Sequence, residues 1–219
     1  MYEDLSCLFA PLEATSEFGA LTDALSRPGA ALACGLDDAQ KLHLTTAAAR
    51  KLGRPLLFVT SNEVAAQRVR EDLNALLGGG AALLPARDIS FVRTAASSRE
   101  LTMRRLEALG AAATGEARAL VMSAETLLCR QMPRERFLQN VLEITPDMRV
   151  EPTELVARLV EAGYERTALV EARGQCALRG GILDVYPVGM PEAVRLEFFD
   201  DEVDSLRAFD VMTQRSTSH

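Results

Sequence analysis

Apolar and polar positions along the first 140 residues follow two alternating rhythms, one suited to buried strands and one to helices. Residues 30–34 (AALAC) form a short apolar run entering Gly35, and residues 55–60 (PLLFVT) have the texture of a strand buried on both faces of a parallel sheet. Between them, residues 40–52 are rich in Ala and Leu and predict a helix that stops before Gly53. Residues 62–77 carry Val64, Ala65, Val69, Leu73, Leu76 and Leu77 at helical spacing and end at Gly78-Gly79-Gly80. Residues 81–84 predict a short strand. A polar connection then leads to Ser97, three residues before Glu100, a capping-box spacing that opens a helix running to about Ala113. Residues 117–122 (ARALVM) predict a further strand. Strands and helices in this alternation predict a layered α/β sheet with right-handed crossovers.

Beyond about residue 140 the rhythm changes. One helix, opened by Pro152 in its first turn and carrying Leu155, Leu159 and Val160, runs to Gly163. Residues 166–171, 175–179, 182–186 and 193–199 then read as strands broken by Gly, Pro and Asp pairs, with Asp200-Asp201 as a hairpin turn into residues 202–209. The predicted architecture is an α/β parallel-sheet domain over residues 1–140, followed over 141–219 by a small α+β domain with a mainly antiparallel sheet.

Composition narrows the function. With 219 residues, 48% hydrophobic and 25% charged, the chain matches a soluble globular protein able to bury a core. No basic-then-apolar opening and no membrane-length apolar run occur, so a cytoplasmic location without membrane contact is expected. The net charge of −7 argues against DNA as the main partner, because tight nucleic-acid binding depends on neutralising phosphates. Cys7, Cys34, Cys129 and Cys176 are scattered without a C-x-x-C pair, and the histidines are His43 and His219. A zinc site is therefore not expected, and the cysteines read as reduced, mostly buried thiols. No metal or cofactor is expected.

A glycine loop between a strand and a helix is where an ATPase cradles phosphate, using G-x-x-x-x-G-K-[ST]. Here Gly35 and Lys41 hold their places, but Gln40 replaces the second glycine and Leu42 the Mg²⁺-binding hydroxyl. Asp37 and Asp38 add negative charge where phosphate would sit. As a degenerate, non-functional nucleotide loop the segment would mark the domain as RecA-like, but the motif alone is a weak signal. The alternative is a capped helix start in an unrelated α/β protein. No catalytic residue is assigned.

Residues 178–187 (LRGGILDVYP), 194–210 (VRLEFFDDEVDSLRAFD) and 213–216 (TQRS) resemble the family of UvrB and the transcription-repair coupling factor Mfd. In that family an R-G-x-x-x-D-[IVL]-[FY]-P strand precedes an R-[IL]-[ED]-F-F-[GD]-D-E hairpin, and LVARLVEAGYER (155–166) also fits. The lost phosphate loop, the absence of a long aromatic hairpin and the FFDDE turn favour the coupling factor branch. The match is sharp over 150–216 and looser over 30–140. The resemblance implies a 1A-like domain followed by a UvrB domain 2-like module that binds UvrA. It also implies that RNA polymerase and DNA are contacted only by a carboxy-terminal part beyond residue 219, where an ATP-driven translocase would lie. It places the UvrA contact on Arg179, Arg195 and Phe199. The alternative kept beside it is a truncated UvrB-like excinuclease or helicase subunit that still binds nucleotide and DNA.

Strand geometry gives a separate reading of that contact. Alternation puts Val194, Leu196 and Phe198 on one face, as core, and Arg195, Glu197 and Phe199 on the other, open to solvent. An exposed aromatic beside an arginine is a pairing enriched in binding hot spots. The bland alternatives are a Phe199 ring packed across its own turn, a cross-strand ion pair for Arg195 and a surface role for Arg179. A bulge at Gly180-Gly181 is expected to turn Arg179 toward the shared face. Asp184 and the acids at 200–202 read as solvated hairpin chemistry.

Overall fold

A computed structural model describes residues 6–87 and 95–217. The chain divides into two compact units, Met1–Met132 and Pro133–His219.

In the first unit, helices α1 (Ser6–Glu13), α2 (Ser16–Leu25) and α3 (Asp38–Leu52) precede strand β1 (Leu56–Thr60). Helix α4 (Glu63–Leu77), strand β2 (Ala81–Leu84), helix α5 (Ala95–Thr114), strand β3 (Ala119–Ser123) and helix α6 (Ala124–Leu128) follow. The three strands are parallel in the order β1-β3-β2. Helix α4 is bounded by its sequence: the Ala65 N–H donates to the Asn62 side chain at 2.9 Å, and Gly78 closes the last turn at φ 67°. Leu42 of α3 and Ala66 and Leu73 of α4 pack with Ala119, Val121, Phe58 and Leu83 on one side of the sheet. Ala108 of α5 packs with Leu84 and Met122, on the alternate strand positions. The edge strand β1 keeps Leu57 and Val59 exposed.

Three expectations need correction here. Residues 30–34 are not a strand: they lie outside the sheet, with Leu32 90% exposed. Three alanines, a cysteine and one leucine offer little area to bury and low strand preference, so nothing compensates for fixing the backbone. Ser97 is not a cap, because α5 is already helical from Ala95; its side chain and residues 88–94 lie outside the described residues. The thiols are free but not mostly buried, since Cys7 and Cys34 are exposed and only Cys176 is fully enclosed. Helices α1 and α2, unread in the sequence, bury Phe9 and Phe18 against Ala47 and Ala48 of α3.

The second unit contains helices α7 (Arg134–Leu138) and α8 (Pro152–Glu161) and strands β4 (Glu165–Arg166), β5 (Gln175–Arg179), β6 (Ile182–Val185), β7 (Ala193–Phe199) and β8 (Glu202–Phe209). They form one sheet in that order, antiparallel except for β4 against β5. Leu155, Val156 and Leu159 of α8 cover one face, against Cys176, Leu183, Val185, Leu196 and Val203. Side chains from alternate positions, Ala177, Ala193 and Phe209, gather with Val170 in a smaller cluster. The strand expected over 166–171 shrinks to the two residues of β4. There the Thr167 hydroxyl donates to the Leu169 carbonyl at 2.8 Å, a local bond that turns the chain out of the ladder.

Both ends of the outer strand β8 are covered by other backbone. At its start, the Asp147 N–H donates to the Val203 carbonyl at 2.9 Å and the Val203 N–H to the Met148 carbonyl at 2.9 Å. At its end, the Thr217 N–H donates to the Ala208 carbonyl at 2.9 Å. Among the described residues no helix is long and apolar enough to cross a membrane, and no group of His, Cys, Asp or Glu has metal-site geometry.

Candidate functional site

The start of α3 and the open face of the five-stranded sheet hold the residues singled out in the sequence. At the first, Asp37 is the N-cap of α3. The Gln40 N–H donates to its carboxylate at 2.8 Å, while the Asp37 N–H donates to the Gln40 side chain at 3.0 Å, a complete capping box. Gln40, which stands where the nucleotide loop needs glycine, is thus the reciprocal half of a helix cap. Lys41 reaches Asp38 at 2.9 Å on the surface, and Leu42 points into the core at 5% exposure. Gly35 sits two residues before the cap at φ 77°, in an exposed turn. A carboxylate therefore occupies the helix N-terminus, the place where backbone N–H groups would meet an anion.

On the sheet face, register decides what meets. Asp184 of β6 lies opposite Arg195 of β7, and Arg195 opposite Arg207 of β8. Asp184 is fully buried. Arg195 donates from Nε to Asp184 Oδ1 at 2.6 Å and from Nη2 to Oδ2 at 2.9 Å, a bidentate pair. Arg179 donates from Nη2 to the same Oδ2 at 2.6 Å. The Arg195 side chain is only 14% exposed, so it is not the solvent-facing cation that alternation suggested; the Arg179 side chain is 45% exposed. The hydrogen bonds that Arg195 donates to Asp184 raise the arginine's pKa above its already high ordinary value.

The carboxy-terminal turn completes this enclosure. Arg195 Nη1 donates to the Gln214 carbonyl at 3.3 Å, and its guanidinium carbon lies 4.8 Å from the centre of the Phe209 ring. Gln214 sits at φ 59° and is fixed by its side-chain amide, which donates to the carbonyls of Val170 at 3.1 Å and Val211 at 2.7 Å. Asp210 braces the same turn by accepting from the Met212 and Thr213 N–H groups at 2.8 and 2.7 Å, and the Thr213 bond is the main cause of its lowered pKa.

Phe199 ends β7. Phe198 packs into the main core, so the Phe199 ring faces the other way and is 79% exposed. The turn after it places Asp200 at φ 60°. The bulge expected at Gly180-Gly181 is absent. Those glycines make a two-residue turn between Arg179 and Ile182, with Gly180 at φ 60°, and the irregularity lies instead between Glu197 and Phe198. Arg179 shares the Asp184 face through ordinary strand alternation. Two further residues join the surface that sequence reasoning passed over. Ile182, opposite Glu197, is 38% exposed, and the Arg207 side chain is 56% exposed, 3.8 Å from Glu197. Their signal was available in the two-residue period, once the hairpin registers were known. Asp184, read as hairpin chemistry, is the buried centre of the face.

Comparison with known proteins adds to this geometry. Residues 142–219 match the model of the UvrB interaction domain. Over 186 residues, 84% of the chain, it is 36% identical to a transcription-repair-coupling factor of Bacillus subtilis and 29% identical to one of Staphylococcus aureus. A transcription-repair-coupling factor of Staphylococcus epidermidis is 30% identical over 190 residues. The matched region covers 16% of each of these relatives.

Proposed function

We propose, for a chain that carries the amino-terminal UvrB-like module of the transcription-repair-coupling factors, that its second unit is a docking surface for UvrA and that the chain has no catalytic activity of its own. The observation that carries this reading is Phe199: a large apolar ring held 79% exposed at a hairpin tip, on the face that also bears Arg179. Folding gives no reason to leave that ring in water. Binding does, because rigid aromatic area and a forked cation are the groups on which interfaces concentrate their energy. The surface is built on Arg179, Arg195 and Phe199 in the docking part, Pro133–His219, which follows a 1A-like part, Met1–Met132. Its role is to recruit nucleotide excision repair to stalled RNA polymerase in the cytoplasm, while polymerase and DNA are engaged by other parts of the longer protein.

The alternative, a truncated UvrB-like subunit using nucleotide, is disfavoured by the start of α3. A cap carboxylate and a core leucine stand there in place of a phosphate cradle and a metal-binding hydroxyl. Calorimetric titration with purified UvrA tests the proposal. Arg179→Glu and Phe199→Ala are each expected to weaken binding by about 1–3 kcal/mol with the fold intact. Unchanged affinity in both variants removes this face from the contact.

A further inference from the structure

Resting on that docking reading, we infer that Asp184 is a positioning residue of the surface and that Arg195 acts with it from inside the fold, leaving Arg179 as the cation the partner meets. The hydrogen bonds divide the labour. All three guanidinium nitrogens of Arg195 are engaged internally, two on Asp184 and one on the Gln214 carbonyl, and the group lies against the Phe209 ring. Among the described residues Arg179 is tethered by Nη2 alone, and its side chain is 45% exposed. Its other nitrogens are directed by a single fixed point, which suits a carboxylate on the partner received in a forked geometry.

Asp184 sets this arrangement because its two oxygens are shared unequally. Arg195 takes Oδ1 entirely and part of Oδ2, so Arg179 gets only the remainder of Oδ2. Without Arg195, the buried carboxylate would be free to take the whole Arg179 fork and draw it down onto the sheet. Arg195 is thus needed for docking although it is nearly enclosed: it keeps Asp184 from consuming the exposed arginine. The partner chemistry that fits is an acidic group beside an apolar recess, for Arg179 and Phe199 respectively.

A double-mutant cycle on the whole chain, titrated against purified UvrA, tests this. Arg195→Met alone is expected to lose affinity by about tenfold or more and to melt earlier, because it leaves a buried carboxylate short of a partner. Adding Asp184→Asn removes that charge, while the asparagine oxygen still accepts from Arg179. The double variant is therefore expected to bind within about fivefold of the unaltered chain. A purely structural role would leave affinity unchanged at a temperature where Arg195→Met is still fully folded, so the titrations are run well below its melting midpoint. If Arg195 itself touched UvrA, the double variant would stay as weak as the single one, and a loss beyond about fivefold in the double variant overturns the inference. Should Arg195→Met fail to fold, the double variant against the unaltered chain still decides. Arg179→Glu and Phe199→Ala separate the two claims: if both bind UvrA like the unaltered chain, or if that chain does not bind, the docking reading itself fails.

Discussion

The start of α3 and the tip of the β7–β8 hairpin both carry residues that a sequence reader would pick for recognition, yet they differ in what remains available. At α3 the polar groups answer one another locally: Asp37 with Gln40, and Lys41 with Asp38. At the hairpin the pairing is incomplete by design of the register. Asp184 satisfies Arg195 but holds Arg179 at one point only, and Phe199 is left in water. Recognition capacity follows from groups that the fold positions without consuming. Matching a motif letter is a weaker guide, since Lys41 matches its motif and is tied to its own helix.

Replacing Arg195 by Glu should have the largest effect, because it sets a second carboxylate against the buried Asp184. A loss of about 3–5 kcal/mol is expected, read as a lower denaturation midpoint for the second unit. A solvent-facing Arg195, as strand alternation suggested, would let this reversal spare the fold, and unchanged stability would return it to the surface side of the comparison. Restoring loop letters in the double variant Gln40→Gly and Leu42→Thr should cost about 2–4 kcal/mol, since it breaks the capping box and hollows the core beside Ala66 and Leu73. It should also gain no Mg²⁺-ATP binding in a fluorescence titration; tight binding would show that α3 is a nucleotide loop after all. Phe199→Ala should lower UvrA affinity by about 2 kcal/mol while shifting stability by no more than about 0.5 kcal/mol. A marked drop in melting temperature would mean that the ring belongs to the core. Asp37→Ala should cost about 1 kcal/mol in the first unit, by denaturant titration, and leave UvrA binding untouched. The smallest effect expected is a gain of about 0.5–1 kcal/mol for Asp200→Gly, where a side chain now occupies a left-handed turn.

Much of this was legible in the chain. The exposed Phe199 followed from counting by twos along β7, and the helices after Asn62 and at Pro152 followed from their apolar stripes, their closing glycines and the first-turn proline. The burial of Arg195 was not, because it depends on Asp184, eleven positions away across a ladder, and on the Gln214 carbonyl beyond β8. Helices α1 and α2 were missed because they are short, with Pro11 inside the first, and rely on the small alanines of α3 to receive Phe9 and Phe18. The run at 30–34 misled for the opposite reason: it is apolar by letter but too small in area to hold a place in the sheet.

The backbone that covers both ends of β8 has a consequence for how this unit behaves at high concentration. An outermost strand with open N–H and C=O groups is a template on which further chains can polymerise. Here the residues around Met148 and Thr217 fill that template at either end, which shortens the bare stretch between them. Growth of the sheet through this margin is thereby disfavoured.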